Sequence, residues 1–267
     1  MLHFLTEHQF LSGLFTLTVI LGVMLAWEQF APRRKYACIR GRRLGNLALL
    51  GIDAAVVILL FPITSIGTAF LASRLDWGLF NVWPVSYPLA FVISVLILDL
   101  AIYCQHRLFH TSKWIWPLHR VHHSDLHLDA TTGVRFHPLE VIIYTVLKIG
   151  IVLAIGAPVA AVALFEFLLI TASLFYHANV SMPTPVERVL RTVFITPDIH
   201  RIHHSAWYPD MYSNFGNLFI WWDRLFGTYH AAPAGGHEGM RIGLEGFEGT
   251  RVTHIVQLFK QPFAAGI

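Results

Sequence analysis

The stretch SYPLAFVISVLILDLAIYCQHRLFHTSKWIWPLHRVHHS, residues 86–124, joins an apolar run to five histidines that fall within 18 residues. Its first part, 86–105, is twenty residues long and contains a single charged residue, Asp99. A helix needs about 20 apolar residues to cross a bilayer. The stretch therefore predicts a membrane helix that carries a cluster of imidazoles at its end.

The rest of the chain agrees with a membrane protein. Of 267 residues, 55% are hydrophobic and 13% are charged, whereas a soluble domain carries about 25% charged residues. Further apolar segments cover 11–30, 46–72 and 139–176, and the last is interrupted by Gly156-Ala157-Pro158. We therefore predict an all-α integral membrane fold, a small bundle of about four to five transmembrane or re-entrant helices with a histidine-rich cap. We treat 1–267 as one domain, in which 11–105 holds the first three helices and 106–267 the histidine-box region with the 139–176 hairpin.

Basic residues predict how the chain is oriented. The loop 33–43 holds six basic residues and no acid, which places it in the cytosol by the positive-inside rule. The histidine clusters then lie on the same cytosolic side of a multi-pass protein. Residues 1–10 lack Lys and Arg, so we expect a retained helix rather than a cleaved signal peptide. The net charge of +3 suits anionic lipid headgroups, and we find no nucleic-acid-binding motif.

Three short motifs have the spacing of metal ligands on a helix. HRLFH, HRVHH and HRIHH each place histidines three or four residues apart, on one helix face. They supply eight imidazoles: His106, His110, His119, His122, His123, His200, His203 and His204. Eight nitrogen ligands exceed what one six-coordinate ion uses, so the motifs predict two ions a few ångströms apart. Imidazole binds Fe, Zn, Cu and Ni, so the ligand type does not select the metal.

Several other polar residues are candidates for the site. His137, which precedes Pro138, and His177, at the end of the hairpin, are expected as additional ligands or as donors to ligands. Asp99 and Tyr103 share a helix face with His106 and His110, and Asp99 is either a partner of the ligands or a structural acid. Two further residues, Asn179 and Asp198, are expected to hydrogen-bond the ligands.

The remaining ionisable residues of the apolar segments have other predicted roles. Lys148 and Glu166 lie equally far from Ala157, so an antiparallel hairpin pairs them. Asp53 has no assigned role. Interfacial positions are expected for the other histidines: His3, His8, His127, His230, His237 and His254.

Together these motifs resemble the fatty acid hydroxylase / sterol desaturase superfamily of membrane di-iron enzymes. The resemblance covers about Asp99 to Tyr229 and includes HRLFH, HRVHHSD, RFHPLE, HAN, TPDIHRIHHS, NFGN and WDRLFGTY. It implies two Fe ions on the eight motif histidines, with His137 and His177 as additional ligands. It also implies O2 as oxidant and hydroxylation or desaturation of a lipid (sterol, fatty acyl, carotenoid or ether lipid). We expect electrons from a separate donor of the cytochrome b5, ferredoxin or reductase type.

Two alternatives are weaker. A haem protein needs only one or two axial histidines, and a metal transporter needs polar or broken helices along its spans. A histidine-rich membrane protein that binds metal or haem without oxygenase activity remains the competing hypothesis. Zinc is expected to replace iron in overexpressed samples, since imidazole binds it well.

Overall fold

The computed structural model describes residues 2–36, 38–83 and 85–264. The predicted interfacial residues His3 and His8 lie in 2–10, where the side chains fall outside the described part. The helices are α1 Leu2–Phe30, α2 Arg42–Leu60, α3 Ser65–Arg74, α4 Leu79–Val82, α5 Tyr87–Thr111, α6 Trp116–His123, α7 Pro138–Ile155, α8 Val159–His177, α9 Thr184–Leu190, α10 Pro197–His203, α11 Tyr208–Met211, α12 Trp221–Leu225, α13 Gly236–Gly239 and α14 Ile255–Lys260. Short 3₁₀ turns cover Ala130–Val134, Gly249–Val252 and Gln261–Phe263.

The predicted all-helical membrane fold is confirmed. No β-strand occurs among the described residues. Five segments are long and apolar enough to cross a membrane: Leu11–Phe30, Arg42–Val82, Tyr87–Thr111, Pro138–Ile155 and Val159–His177. Large apolar side chains on the outside of this bundle, such as Leu59 and Phe15, are exposed, as expected for surfaces that contact lipid.

The second apolar segment differs from the prediction of one helix over 46–72. Helix α2 ends at Leu60 and α3 begins at Ser65. Pro62 between them has no backbone N–H, and the residue before a proline is biased away from the α conformation. The hydroxyl of Thr64 then accepts the Gly67 N–H at 3.2 Å and starts the new helix. The segment is therefore two helices with a break at 61–64.

The predicted hairpin is confirmed. Helix α7 ends at Ile155 and is followed by Gly156, whose φ of +64° suits a glycine, and Pro158 precedes α8. Lys148 on α7 and Glu166 on α8 form the predicted ion pair, with 2.8 Å between Nζ and Oε1. The hairpin contributes to an apolar core that α3, α5, α7 and α8 form together.

The cap forms where several helices end together. The segments that follow α1 and α8 are joined by the Arg33 N–H, which donates to the Asn179 carbonyl at 3.0 Å. Arg42, the first residue of α2, binds the carboxylates of Asp125 and Asp129 in the loop after α6. Helix α5 is longer than the predicted 86–105 and carries His106 and His110 on its last turns into the same region. All the histidine motifs therefore lie at one end of the bundle.

Candidate metal centre

Nine histidine side chains form two adjoining groups at the cap end of the bundle. Within each group, one nitrogen from every ring lies within 4.8 Å of the others. We call them the five-histidine cluster, His106, His110, His119, His123 and His203, and the four-histidine cluster, His122, His177, His200 and His204. The rings of His123 and His204, one from each cluster, stack with centroids 4.4 Å apart. The structure thus brings together all eight motif histidines and adds His177.

Each HRxHH motif contributes to both clusters. In HRVHH, His119 and His123 belong to the five-histidine cluster, and His122 belongs to the other. In HRIHH, His200 and His204 belong to the four-histidine cluster, while His203 crosses to the five-histidine cluster. At about 100° per residue, position i+4 lies about 40° from position i in one direction around the helix axis. Position i+3 lies about 60° from i in the other direction. Helices α6 and α10 therefore each extend ligands toward two neighbouring points.

Burial keeps the cluster histidines neutral. Eight of the nine are buried, and His106 is partly buried. Removal from water lowers the pKa of His119 to about 3. Burial, together with neighbouring imidazoles, also lowers the pKa of His122, His123, His200, His203 and His204 well below the usual value. Neutral imidazole is the form that binds a metal ion.

Oxygen acceptors orient five of these rings. Carbonyl groups accept Nδ1–H from His106 (Phe215 O, 2.9 Å), His122 (Arg135 O, 3.2 Å), His177 (Ser173 O, 2.7 Å) and His203 (Ser213 O, 2.8 Å). The carboxylate of Glu140 accepts from His119 at 2.6 Å. A carbonyl can only accept, so each such ring carries its proton on Nδ1 and its lone pair on Nε2. This arrangement is usual for histidines that bind metals.

The inward nitrogens fit a bound cation. The Nε2 atoms of His122 and His177 are 3.0 Å apart. In both rings the Nδ1–H is hydrogen-bonded to a carbonyl, so each Nε2 carries a lone pair and the two lone pairs face each other. Two metal–nitrogen bonds of about 2.1 Å at a right angle separate their nitrogens by about 3.0 Å. In the five-histidine cluster, the buried Nε2 atoms of His106, His119 and His203 have no hydrogen-bond partner among the described residues. A metal ion in each cluster would satisfy these atoms.

His137 is not brought to either cluster. Its Nδ1 accepts the Leu139 N–H at 3.2 Å, so the ring caps the N-terminus of α7, and its Nε2 lies 3.4 Å from the Phe259 carbonyl. Because both nitrogens are turned to backbone groups, we leave His137 out of the proposed ligands. The described histidines expected at the interface, His127, His230, His237 and His254, also lie outside both clusters.

Asp99 and Tyr103 contact a loop rather than the histidines. The Asp99 carboxylate accepts the N–H groups of Leu218 and Phe219 at 3.0 and 3.1 Å and the Trp222 indole N–H at 2.8 Å. The Tyr103 hydroxyl lies 2.9 Å from Thr228 Oγ1. The structural alternative for Asp99 therefore fits better than a direct bond to a ligand.

Asn179 and Asp198 hold the chain after α1. Asn179 accepts the Arg34 N–H at 3.0 Å and donates to the Arg34 carbonyl at 2.8 Å. Asp198 binds Arg33 at 3.2 Å and also pairs with Arg201, and these cations lower the pKa of its carboxyl despite burial. Neither side chain forms a hydrogen bond with a cluster histidine.

Three residues that the sequence did not single out support the ligands. Glu140 orients His119, as described above. Asp223 accepts the N–H groups of Phe215 and Gly216, each at 2.8 Å, and so fixes the loop whose carbonyl orients His106. Arg135, fully buried, donates to the Val121 carbonyl at 2.8 Å and to Asn46 Oδ1 at 2.7 Å. Glu140 and Arg135 lie in the motif RFHPLE, and Asp223 lies in WDRLFGTY. The charged residues inside these motifs were the feature of the sequence that could have identified them.

An apolar cavity leads to the clusters. Its volume is about 970 Å³, near the upper end of the range of about 300–1,000 Å³ for small-molecule sites. Side chains of α1, α2, α7 and α8 line it, including Leu14, Leu50, Val57 and Leu169. At one end the lining consists of His106, His119, His122, His177 and His200.

Comparisons with known proteins place this arrangement in a family. The family model described as fatty acid hydroxylase matches residues 91–228. The ornithine lipid hydroxylase OlsE of Rhizobium tropici is 32% identical over 57% of this chain and 45% of its own length. The alkylglycerol monooxygenase of Homo sapiens is 27% identical over 61% of this chain and 36% of its length, and the methylsterol monooxygenase 1 of Danio rerio is 27% identical over 60% and 53%.

The chain spans about a third to a half of the length of these curated relatives. No solved structure matches. The family match nevertheless covers more than half of the chain and contains every residue of both histidine clusters. The chain belongs to the fatty acid hydroxylase family.

Proposed function

We propose that the protein is a membrane-bound oxygenase that hydroxylates or desaturates a C–H bond of a lipid at a di-iron centre. The observation that carries the proposal is the position of two buried imidazole clusters at the end of a 970 Å³ apolar cavity. An acyl or isoprenoid chain fits such a lining, and the clusters lie where a carbon of that chain would arrive. The names of the relatives refer to an ornithine lipid, an alkylglycerol and a methylsterol, and a lipid substrate is what they share.

Iron is proposed because the reaction needs a metal that changes oxidation state. Two irons, one held by each cluster, would supply activation of O2 with two electrons from a separate donor. Zinc binds imidazole well but is not redox-active. The protein's own contribution is to hold nine neutral imidazoles together and to fix five of them with Nε2 inward. It would also surround the reacting carbon with apolar side chains that exclude water.

The orientation of the protein is part of the proposal. The basic loop 33–43 packs beside the cap, since Arg33 and Arg34 bond to Asn179 at the end of α8. By the positive-inside rule, this packing supports a cytosolic position for the clusters, where a soluble electron donor has access. Cysteine introduced at position 79 should react only from the opposite side. Labelling from the cytosolic side alone would contradict this orientation.

The activity is tested with isotopically labelled O2. Wild-type protein is loaded with iron, reconstituted in host lipids and supplied with an electron donor, and the lipids are analysed by mass spectrometry. Hydroxylation adds one labelled oxygen atom, and desaturation removes two hydrogens. His203→Ala should abolish both metal binding in its cluster and product, whereas His127→Ala, outside both clusters, should alter neither. Unchanged lipids with fully iron-loaded wild type would leave only a metal-binding membrane protein.

A further inference from the structure

One acidic side chain in the cavity has no hydrogen-bond or ion-pair partner among the residues that the structure describes. Besides histidines and tyrosines, four residues with ionisable side chains line the cavity: Asp53, Glu140, Lys148 and Glu166. Lys148 and Glu166 neutralise each other, and Glu140 accepts from His119. Asp53 is 6% exposed, its Oδ1 is buried, and no described residue donates a hydrogen bond to its carboxyl group.

An unpartnered buried carboxyl group lowers the stability of the folded protein when no lipid is bound. A buried polar group without a hydrogen bond destabilises a protein, so nearly all buried polar groups have partners. An ionisable residue within a membrane segment usually marks a functional site. Leucine has a similar size and would fill the position without that cost. The carboxyl group of Asp53, directed into a cavity that is otherwise largely apolar, is therefore matched to something that enters the cavity.

Asp53 lies toward the end of the cavity that the cluster histidines line. Its carboxyl is within electrostatic range of Glu140 on α7, and Glu140 contacts His119 of the five-histidine cluster. Lys148 is eight residues further along α7, which corresponds to about 12 Å at 1.5 Å per residue. A ligand group bound by Asp53 would thus lie between the histidines and the Lys148–Glu166 pair.

We propose that Asp53 is a specificity-determining residue that binds a hydroxyl or amino group of the lipid and thereby sets which carbon reaches the metal end. The inference rests on the proposed function, because it names the substrate class of the same cavity. It assigns to this cavity a lipid with a hydrogen-bond donor on the part that enters, in preference to a plain hydrocarbon chain. A carboxyl group can accept from either donor, and an amine would add an ion pair.

Binding is measured without catalysis, on purified zinc-loaded protein in detergent micelles. The thermal unfolding midpoint is followed against the micellar mole fraction of 1-octadecanol, octadecylamine or octadecane, since a ligand that binds only the folded state raises it. One net hydrogen bond corresponds to roughly tenfold tighter binding. Wild type should bind the alcohol or the amine roughly tenfold more tightly than the alkane. The ratio of amine to alcohol shows whether charge contributes.

Two variants make the test specific. Asp53→Leu should lose the preference and, without ligand, raise the unfolding midpoint by about 2–4 °C, because an unpartnered polar group is removed. Val57→Ala, one turn along the same lining face, should keep the preference. In the oxidation assay, Asp53→Leu should spread the product over several carbons, whereas a merely structural role predicts less product at the same position.

The possible failures are distinguishable. Equal binding of the three probes by wild type, or a preference that persists in Asp53→Leu, overturns the role of Asp53, even if lipids are oxidised. Iron-loaded wild type that prefers the alcohol but oxidises no host lipid overturns the proposed function instead, since the binding measurement needs neither iron nor O2.

Discussion

Replacing Glu140 with Gln tests whether the two clusters bind metal separately. The Glu140 carboxylate lies 2.6 Å from His119 Nδ1, and both side chains are about 4% exposed. A dication on His119 favours the ionised carboxyl, so the native hydrogen bond is charge-assisted. Glutamine keeps the shape and removes the charge.

The expected magnitude follows from that bond. A hydrogen bond to a charged group contributes about 1.5–3 kcal/mol and a neutral one about 0.5–1.5 kcal/mol. The midpoints of these ranges differ by about 1.2 kcal/mol, which is a factor of roughly eight to ten in affinity. Loss of a group that orients a ligand usually weakens metal binding by about 10–100-fold. We expect about tenfold weaker binding in the five-histidine cluster and unchanged binding in the four-histidine cluster, which Glu140 does not contact.

The assay is a titration of metal-free protein with Zn²⁺ against a chromophoric chelator, which resolves two sites and avoids oxidation. Glu166→Gln is the matched control: it makes the same chemical change in the same cavity but contacts Lys148 rather than a histidine. Glu166→Gln should leave both affinities unchanged. Equal weakening of both sites in Glu140→Gln, or no weakening at all, would refute the separate assignment of the clusters.

Three further predictions concern other parts of the molecule. Lys148→Leu or Glu166→Leu alone should destabilise the protein by about 3 kcal/mol through an unpaired buried charge, and the double variant should recover most of it; additive losses in a denaturation series would exclude the pairing. His177→Ala should lower the bound metal to about one equivalent, whereas His137→Ala should retain two, and metal analysis that gives the same content for both would contradict their different placement. Acid should destabilise the metal-free protein: because burial lowers the pKa of His119 to about 3, the unfolded state binds more protons between about pH 6.5 and 3, and each such histidine costs up to about 1.4 kcal/mol per pH unit, so a melting temperature that stays flat over this range would contradict neutral buried rings.

Much of the fold and of the site followed from local patterns. The apolar runs located the spanning segments, and Gly156 with Pro158 located the hairpin turn, because these signals act within a few residues. The three histidine motifs identified eight of the nine clustered rings, since helical spacing alone places them on one face. The Lys148–Glu166 pair followed from the symmetry of the hairpin about Ala157.

Other features depend on contacts between distant segments. His137 resembles a ligand in sequence, but its ring caps α7, and only the position of Phe259 reveals where its second nitrogen points. The roles of Glu140 and Asp223 arise from α7 meeting α6 and from the loop 213–217 folding over α5, which no local pattern encodes. The break in the second apolar segment has a local cause, because Pro62 and Thr64 are helix-ending and helix-starting residues in the sequence itself. The high hydropathy of the surrounding residues nevertheless favoured a prediction of one continuous helix.

The central claim, a two-metal centre shared between the clusters, is tested most directly by anomalous scattering at the iron edge from crystals of iron-loaded protein. We predict two peaks, one among His106, His110, His119, His123 and His203, and one among His122, His177, His200 and His204. A single peak in fully iron-loaded crystals, or a peak beside His137, would contradict it.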